Sequence, residues 1–104
     1  MYQDQLVDII KQGWIEWSAH ALRRMLEQGI SRAAVKNIIC TGELIEDYPD
    51  DTPFPSGLFF GIWQNQPLHV VIAYDRPNQN VFLITAYLPD EEHFEADFKT
   101  RRKQ

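Results

Sequence analysis

The 104-residue chain lacks the features that several protein classes require. Its single cysteine, Cys40, cannot form an internal disulfide and has no cysteine neighbour at zinc-site spacing, which excludes a disulfide scaffold and argues against structural zinc. No apolar run approaches the roughly 18 residues of a membrane span. The N-terminus carries acidic residues where a signal peptide has a basic start, so we expect a cytoplasmic protein that does not bind membranes.

Positive charge is also scarce. Ten Lys and Arg residues stand against 15 Asp and Glu residues, and the resulting net charge of −5 argues against general attraction to nucleic acid. The cations nevertheless fall in two groups, so a local basic patch stays open: Arg23, Arg24, Arg32 and Lys36, then Lys99, Arg101, Arg102 and Lys103.

Phosphate-binding glycine loops, nucleophile elbows and internal repeats are absent as well. This excludes the usual nucleotide-dependent enzymes, and we expect no cofactor. Acidic residues do cluster at Asp47, Asp50 and Asp51. They lack the alternating ligand spacing of a calcium loop and lie in a Pro-rich segment, where carboxylates usually face water, so we predict no metal site.

The chain does contain enough apolar residues to form a hydrophobic core. Its composition, 44% hydrophobic and 12% aromatic, predicts a single domain over residues 1–104. The centre of this domain is a predicted β-hairpin over Leu68–Leu88, in which two apolar, β-branched and aromatic segments flank a loop rich in Asp, Pro and Asn. Polar residues interrupt these strands at His69, Thr85 and Tyr87, which makes them the first candidates for function.

Three helices are predicted before the strands. Apolar residues at helical spacing predict the first over Tyr2–Gln12. Ser18 and Ser31 are suitable N-caps for the second and third, which end at Gly29 and Gly42. On the second helix, residues spaced three or four apart share one side and can meet a common partner, or can form a solvated face with an internal ion pair: His20, Arg23, Arg24 and Glu27.

The remaining segments complete the predicted fold. Trp14–Trp17 is predicted to be an extended connector, and Gly61 marks a bulge or a close backbone approach within a strand. Short turns between strands indicate an antiparallel meander. Asp90 is expected to cap a helix over Glu91–Arg102. The predicted fold class is therefore α+β, with three N-terminal helices packed on a four-stranded antiparallel meander sheet, plus a short C-terminal helix.

Several segments in a fixed order resemble a bacterial family of unknown function, numbered 4258 among such families. They span nearly the whole chain: SAHALRRMLEQGI at 18–30, YPDDTPFPSGLFFG at 48–61, PLHVV at 67–71, ITAYLPD at 84–90 and the closing DFKTRR. Two departures are visible. Gln28 stands where a second basic residue is expected, and His93-Phe94 stands where Lys-Trp is expected; both make an RNA-binding face less positive.

The layout of this family resembles the ribonuclease fold of RelE-type and barnase-like toxins, a likeness of fold alone. The resemblance implies a metal-free endoribonuclease of a toxin-antitoxin pair. Its expected partners are RNA and an antitoxin-like protein, and the oligomeric state is not predicted. In this scheme two histidines divide acid and base roles, and guanidinium groups stabilise charge on the phosphate. The catalytic residues implied are His20, Arg23, His69 and Tyr87, and the substrate-binding residues are Arg24, Thr85 and Arg101.

Other interpretations stay open. His69 within an apolar strand is also typical of a structural histidine that bonds a backbone carbonyl. The hairpin register decides which residues accompany it. Pairs whose numbers sum to 154 place Thr85 opposite His69 and Tyr87 next to it. Pairs that sum to 155 place His69 with Phe82, Ile84 and Ala86, and Tyr87 then points elsewhere. The alternatives to a nuclease are a non-catalytic module that binds a protein through Tyr48–Phe60, or a small-ligand domain with a buried cavity beside His69 and Tyr87.

Overall fold

The computed structural model describes residues 3–103. Tyr2, assigned above to the first helix, lies outside the described residues. None of the helices in the described range is long and apolar enough to cross a membrane. The elements in chain order are α1 (Gln3–Lys11), β1 (Ile15–Trp17), α2 (Ala19–Gln28), α3 (Arg32–Thr41), β2 (Glu43–Tyr48), β3 (Ser56–Trp63), β4 (Gln66–Asp75) and β5 (Asn80–Tyr87).

The three predicted helices are confirmed, and local signals set the limits of the second and third. The hydroxyl oxygen of Ser18 accepts the backbone N–H of Ala21 at 3.0 Å, and Ser31 accepts that of Ala34 at the same distance. Helix α2 ends at Gly29, whose φ of 69° lies in the left-handed region that glycine tolerates best. The caps therefore separate α2 from α3 at the positions that the sequence indicates.

The strands form one five-stranded sheet in the order β1-β5-β4-β3-β2. Strands β2 to β5 pair antiparallel in succession, but β1 pairs parallel with β5, with Ile15 opposite Val81. The predicted four-stranded antiparallel sheet is therefore wrong, although the α+β class is confirmed. The segment predicted as a connector becomes a strand because it satisfies backbone groups along the free edge of β5 while burying Ile15.

The predicted C-terminal helix over Glu91–Arg102 is also wrong. Asp97 accepts the backbone N–H groups of Lys99 at 2.9 Å and Thr100 at 3.0 Å, and Thr100 also donates its hydroxyl to Asp97 at 2.9 Å. Such side-chain bonds to the local backbone compete with helical hydrogen bonds and turn the chain. The helix therefore does not form, despite acidic residues at its expected start and basic residues at its expected end.

Residues 89–103 instead form a C-terminal strap across one face of the sheet. Side chains of all three helices pack against the other face of the sheet and form a single core with it. The strand residues of this core include Phe59, Val70, Ile72 and Leu83. Side chains alternate between faces along a strand, so His69 and Val71 point away from the helices. The strap covers this second face, with Phe94 buried at its centre.

A β-bulge in the central hairpin decides which residues share the strap face. Ile72 pairs with Leu83 near the turn, but His69 pairs with Tyr87 and Val71 with Thr85 farther along. Both predicted registers are wrong at His69, because the bulge shifts the pairing by one residue between these positions. The shift places Tyr87 directly opposite His69, on the same face of the sheet.

Candidate functional site

His69 lies at the centre of the strap face and is completely buried, with 0% of its surface exposed. Three aromatic rings surround its imidazole. The ring centroid lies 4.5 Å from that of Phe94, 5.3 Å from that of Tyr87 and 5.9 Å from that of Phe60. The ring is thus held between strands β3 to β5 and the strap.

The hydrogen bonds of His69 define its tautomer. Nε2 lies 2.7 Å from the carbonyl oxygen of Phe98, and a carbonyl can only accept, so Nε2 carries the hydrogen. In the neutral ring Nδ1 is then an acceptor, and it receives the hydroxyl of Tyr87 at 3.3 Å. Burial lowers the pKa of His69, which favours this neutral form. Burial likewise raises the pKa of Tyr87 and keeps its hydroxyl protonated.

Two ion pairs fasten the strap to β2. The guanidinium of Arg101 binds the carboxylate of Glu46 through two hydrogen bonds, from Nε at 2.6 Å and from Nη2 at 3.1 Å. The ammonium of Lys99 lies 3.3 Å from a carboxylate oxygen of Glu43. The hydrogen bond from Arg101 holds the pKa of Glu46 below its usual value. Arg101 also lies over the ring of Phe94, 5.0 Å from its centroid, so its guanidinium has one defined position.

Beside the strap lies an open cleft of about 320 Å³, termed here the strap cleft. It brings together three of the predicted site residues from separate elements: Arg24 of α2, Tyr87 of β5 and Arg101 of the strap. The guanidinium of Arg24 lies 5.4 Å from the centroid of the Tyr87 ring, a cation–π arrangement. The residues that line the cleft are Arg24, Gln28, Tyr87, Leu88, Asp90, His93, Phe94 and Arg101.

His93 of the strap cleft was not among the predicted site residues. Its Nδ1 lies 2.8 Å from Oδ1 of Asp90, so Nδ1 donates and Nε2 is left as the acceptor of the neutral ring. Within residues 3–103, Nε2 makes no protein hydrogen bond. The hydrogen bond from His93 holds the pKa of Asp90 below its usual value. A carboxylate that orients an imidazole in this way is typical of a general base. In the sequence, the feature that could have indicated this pair is a histidine three residues after a capping Asp.

Gln28 is the second residue that the sequence did not assign to the site. Its side-chain oxygen accepts the backbone N–H of Leu88 at 2.7 Å, which ties the end of α2 to the chain just after β5. The contact joins residues 60 positions apart. Gln28 therefore supplies a hydrogen bond that holds one wall of the cleft.

The other predicted residues lie elsewhere. His20 and Arg23 are exposed on α2 and do not line the strap cleft. The hydroxyl of Thr85 is buried without a hydrogen-bond partner among the described residues. His20 and His69, the histidines expected to divide the acid and base roles, do not meet at a water-accessible site, because His69 is covered by the strap. Beside Tyr87 lies the open strap cleft, and not the buried cavity that was expected beside His69 and Tyr87.

A set of potential metal ligands lies at the rim of the cleft. Ligand atoms of Asp90, Glu92 and His93 lie within 4.8 Å of one another, and all three residues are exposed. Exposed acidic groups are common without a metal, and Asp90 already accepts hydrogen bonds from His93 and from two backbone N–H groups. We therefore interpret the set as a turn in which the carboxylate orients the imidazole.

Comparison with protein families gives a match over residues 17–88 to the family described as Domain of unknown function (DUF4258). Neither curated proteins nor solved structures give a match. The matched range includes Arg24, Gln28 and Tyr87 but ends before the strap that carries His93 and Arg101. The likeness to RelE-type toxins stays a prediction. Since the match covers well over half of the chain, the protein belongs to the DUF4258 family.

Proposed function

We propose that the protein binds single-stranded RNA in the strap cleft and cleaves it without a metal ion. One observation carries the proposal: Arg24, Tyr87 and Arg101 line a single open cleft, although they come from three distant parts of the chain. The resemblance assigns roles toward RNA to the same three residues. His93 and Asp90 add an oriented imidazole to this group.

The cleft offers two guanidinium groups to a phosphodiester, beside the carboxylate of Asp90. Guanidinium groups bind phosphate oxygens through paired, charge-assisted hydrogen bonds. Arg101 is positioned in advance by Glu46, and Arg24 by the ring of Tyr87. Little rearrangement is then needed when a phosphate enters, which lowers the entropic cost of binding. These two placed guanidinium groups support RNA binding by a chain whose net charge is −5.

The proposed reaction is an internal transesterification. Nε2 of His93 accepts the proton of the ribose 2′-hydroxyl, and the 2′-oxygen attacks the adjacent phosphorus. The bond from phosphorus to the 5′-oxygen breaks, and the proton on His93 passes to that leaving oxygen. The products are a 2′,3′-cyclic phosphate and a 5′-hydroxyl, so atoms and protons balance. Arg24 and Arg101 stabilise the negative charge that develops on the phosphoryl oxygens.

An RNA cleavage assay in excess EDTA tests this function. We expect Arg24→Ala, Arg101→Ala and His93→Ala each to lower the rate roughly 100-fold, the usual effect of removing one electrostatic or acid–base group. Lys103→Ala removes an exposed cation of the same tail outside the cleft, and it is expected to leave the rate within about twofold of wild type. Wild-type protein without activity, or undiminished cleavage by both arginine variants, would contradict the proposal.

His20→Ala and Arg23→Ala test how far the site extends along α2. The resemblance gives both residues catalytic roles, and the same assay decides whether they act. A loss of roughly two orders of magnitude extends the active surface onto the exposed side of the helix. Unchanged rates confine the chemistry to the strap cleft, and they make Arg23→Ala a matched control for Arg24→Ala on the neighbouring residue.

A non-catalytic binding module is the second candidate. The complete burial of His69 favours it, because the resemblance made this residue a partner in proton transfer. Part of the segment expected to hold a protein partner, residues 56–60, is strand β3, so residues 49–55 carry the exposed surface. Co-purification of an antitoxin-like protein, with RNA cleavage absent in EDTA, supports this candidate.

A further inference from the structure

A second cleft, of about 550 Å³, lies between the start of α3 and the β3–β4 hairpin. It is termed here the Trp63 cleft. Its walls include Ile30, Leu68 and the half-buried indole of Trp63, and the side-chain amides of Gln64 and Gln66 stand at its hairpin end. A cavity of several hundred Å³ with apolar walls and a few polar groups is typical of a small-molecule subsite.

The chemistry of the Trp63 cleft differs from that of the strap cleft. No charged side chain is found among the described residues that line it, whereas Arg24, Asp90 and Arg101 line the strap cleft. A neutral, planar ligand suits these surroundings because it can stack on an indole without losing a charged group's hydration. Amide groups offer both a donor and an acceptor to the edge of such a ligand.

The two clefts are neighbours that share a lining residue. Leu88 lines both of them, and the consecutive residues Gln28 and Gly29 line the strap cleft and the Trp63 cleft respectively. The hydrogen bond from Leu88 to Gln28 holds this shared boundary in place. A ligand with one anionic part and one neutral planar part can therefore occupy both clefts at once.

We infer that the Trp63 cleft binds the base of a nucleotide next to the phosphate that lies in the strap cleft. The inference rests on the proposed function and specifies the substrate as a single strand with an unpaired base. Single-stranded RNA is recognised by stacking of splayed bases on aromatic side chains. Its phosphate carries the negative charge and suits the strap cleft, whereas its base is neutral and planar and suits the Trp63 cleft. Trp63 is thus a base-binding residue, with Gln64 and Gln66 beside the base edge.

Nuclear magnetic resonance of the indole N–H groups tests this inference without cleavage. The Trp63 signal is identified by its loss in Trp63→Phe. Adenosine and uridine, which carry no phosphate, are expected to shift this signal while leaving that of Trp14 unchanged, and inorganic phosphate is expected to shift neither. A Trp63 signal that neither nucleoside moves would overturn the base subsite, whatever the result for RNA cleavage.

Kinetics give an independent readout. Trp63→Ala is expected to raise KM for RNA cleavage about tenfold with little change in kcat, since stacking on one base contributes affinity and not chemistry. Gln66→Ala leaves the indole in place and is expected to raise KM severalfold, which keeps the test decisive should Trp63→Ala fold poorly. Nucleoside shifts at Trp63 without any RNA cleavage would contradict the nuclease proposal alone. Cleavage with unchanged KM in both variants would contradict the subsite alone.

Discussion

Nε2 of His69 and the backbone carbonyl of Phe98 form a 2.7 Å hydrogen bond that connects the middle of the sheet to the strap. The hydroxyl of Tyr87, a residue of the strap cleft, donates a hydrogen bond to the other ring nitrogen. The position of the strap therefore depends on a buried, neutral histidine. Because His93 and Arg101 belong to the strap, the geometry of the cleft depends on it too.

His69→Ala is expected to lower the free energy of unfolding by about 3 to 5 kcal/mol, because it removes a buried ring and leaves polar groups of Tyr87 and Phe98 without partners. His20→Ala is the matched control: the side chain is exposed, and we expect a change within about 0.5 kcal/mol. Urea denaturation measures both. A loss below about 1 kcal/mol for His69→Ala would show that the ring does not anchor the strap.

The lowered pKa of His69 predicts a pH dependence of stability. Below the unfolded-state pKa near 6.5, the unfolded chain takes up a proton that the folded chain does not, so the unfolded state binds more protons. The stabilisation is complete above this pH. It is lost as the pH falls from about 6.5 to the folded-state pKa, by up to about 1.4 kcal/mol per pH unit.

His69→Gln cannot titrate, so its stability is expected to vary less than that of wild type between about pH 7.5 and 5.5. The charged neighbours Glu46 and Arg101 shift the pKa of His69 in opposite directions. The pKa of Glu46 is itself lowered, so its own contribution is lost at lower pH, outside this window. Identical pH profiles for wild type and His69→Gln would contradict a buried neutral imidazole.

Two glycines test the packing of α3 on the sheet. A Cβ at Gly61 would lie 2.5 Å from Cδ1 of Ile38, whereas a Cβ at Gly42 would lie 2.5 Å from the backbone oxygen of Ile38 and 2.7 Å from that of Phe60. We expect Gly42→Ala to cost about 3 kcal/mol, the upper end of the usual cost of overpacking, because backbone atoms cannot yield. Gly61→Ala is expected to cost about 1 to 3 kcal/mol.

The Gly61 clash can be relieved, which supplies the control. Ile38→Val removes Cδ1 and alone is expected to cost about 0.5 to 1.5 kcal/mol. Combined with Gly61→Ala it is expected to recover most of the loss, so the two changes are non-additive by about 1 kcal/mol or more. The same valine should not rescue Gly42→Ala. Additive effects at Gly61 and Ile38, measured by urea denaturation, would contradict the close approach.

Parts of the fold that depend on local chemistry could be predicted from the sequence. Ser18 and Ser31 each satisfy a backbone N–H three residues on, and Gly29 adopts a left-handed conformation, so the signals for the second and third helices lie within a few residues of their effects. Gly61 was predicted to mark a bulge or a close backbone approach, and the structure instead places the side chain of Ile38 against it.

The three wrong predictions have different causes, of which one is a partner distant in the sequence. Three residues at Ile15–Trp17 become a strand only because the edge of β5, more than 60 positions later, accepts them. The bulge between Val71 and Ile72 cannot be read from alternation alone, because both registers bury apolar residues. The C-terminal helix had suitable charges at both ends, but bonds from Asp97 to the following backbone turned the chain.

Some residues of the candidate site could also be predicted from the sequence, and others could not. Arg24, Tyr87 and Arg101 were identified through the family resemblance, and the fold brings them together. His93 and Gln28 were noted only as departures, since their significance lies in Asp90 and Leu88, the groups they contact. The alternative interpretation of His69, a structural histidine that bonds a backbone carbonyl, could be predicted from its apolar strand and is confirmed by its bond to Phe98. The strap that supplies this carbonyl could not be predicted, because its segment was expected to be a helix.

The most direct measurement is a map of backbone and side-chain chemical shifts on titration with a short oligonucleotide that lacks 2′-hydroxyls and so cannot be cleaved. The account predicts the largest changes at Arg24, Gln28, Tyr87 and His93, with affinity that falls as salt rises because the phosphate contacts are ionic. Shifts confined to residues 49–55, or no shifts at concentrations well above those used for cleavage, would contradict RNA binding in the strap cleft.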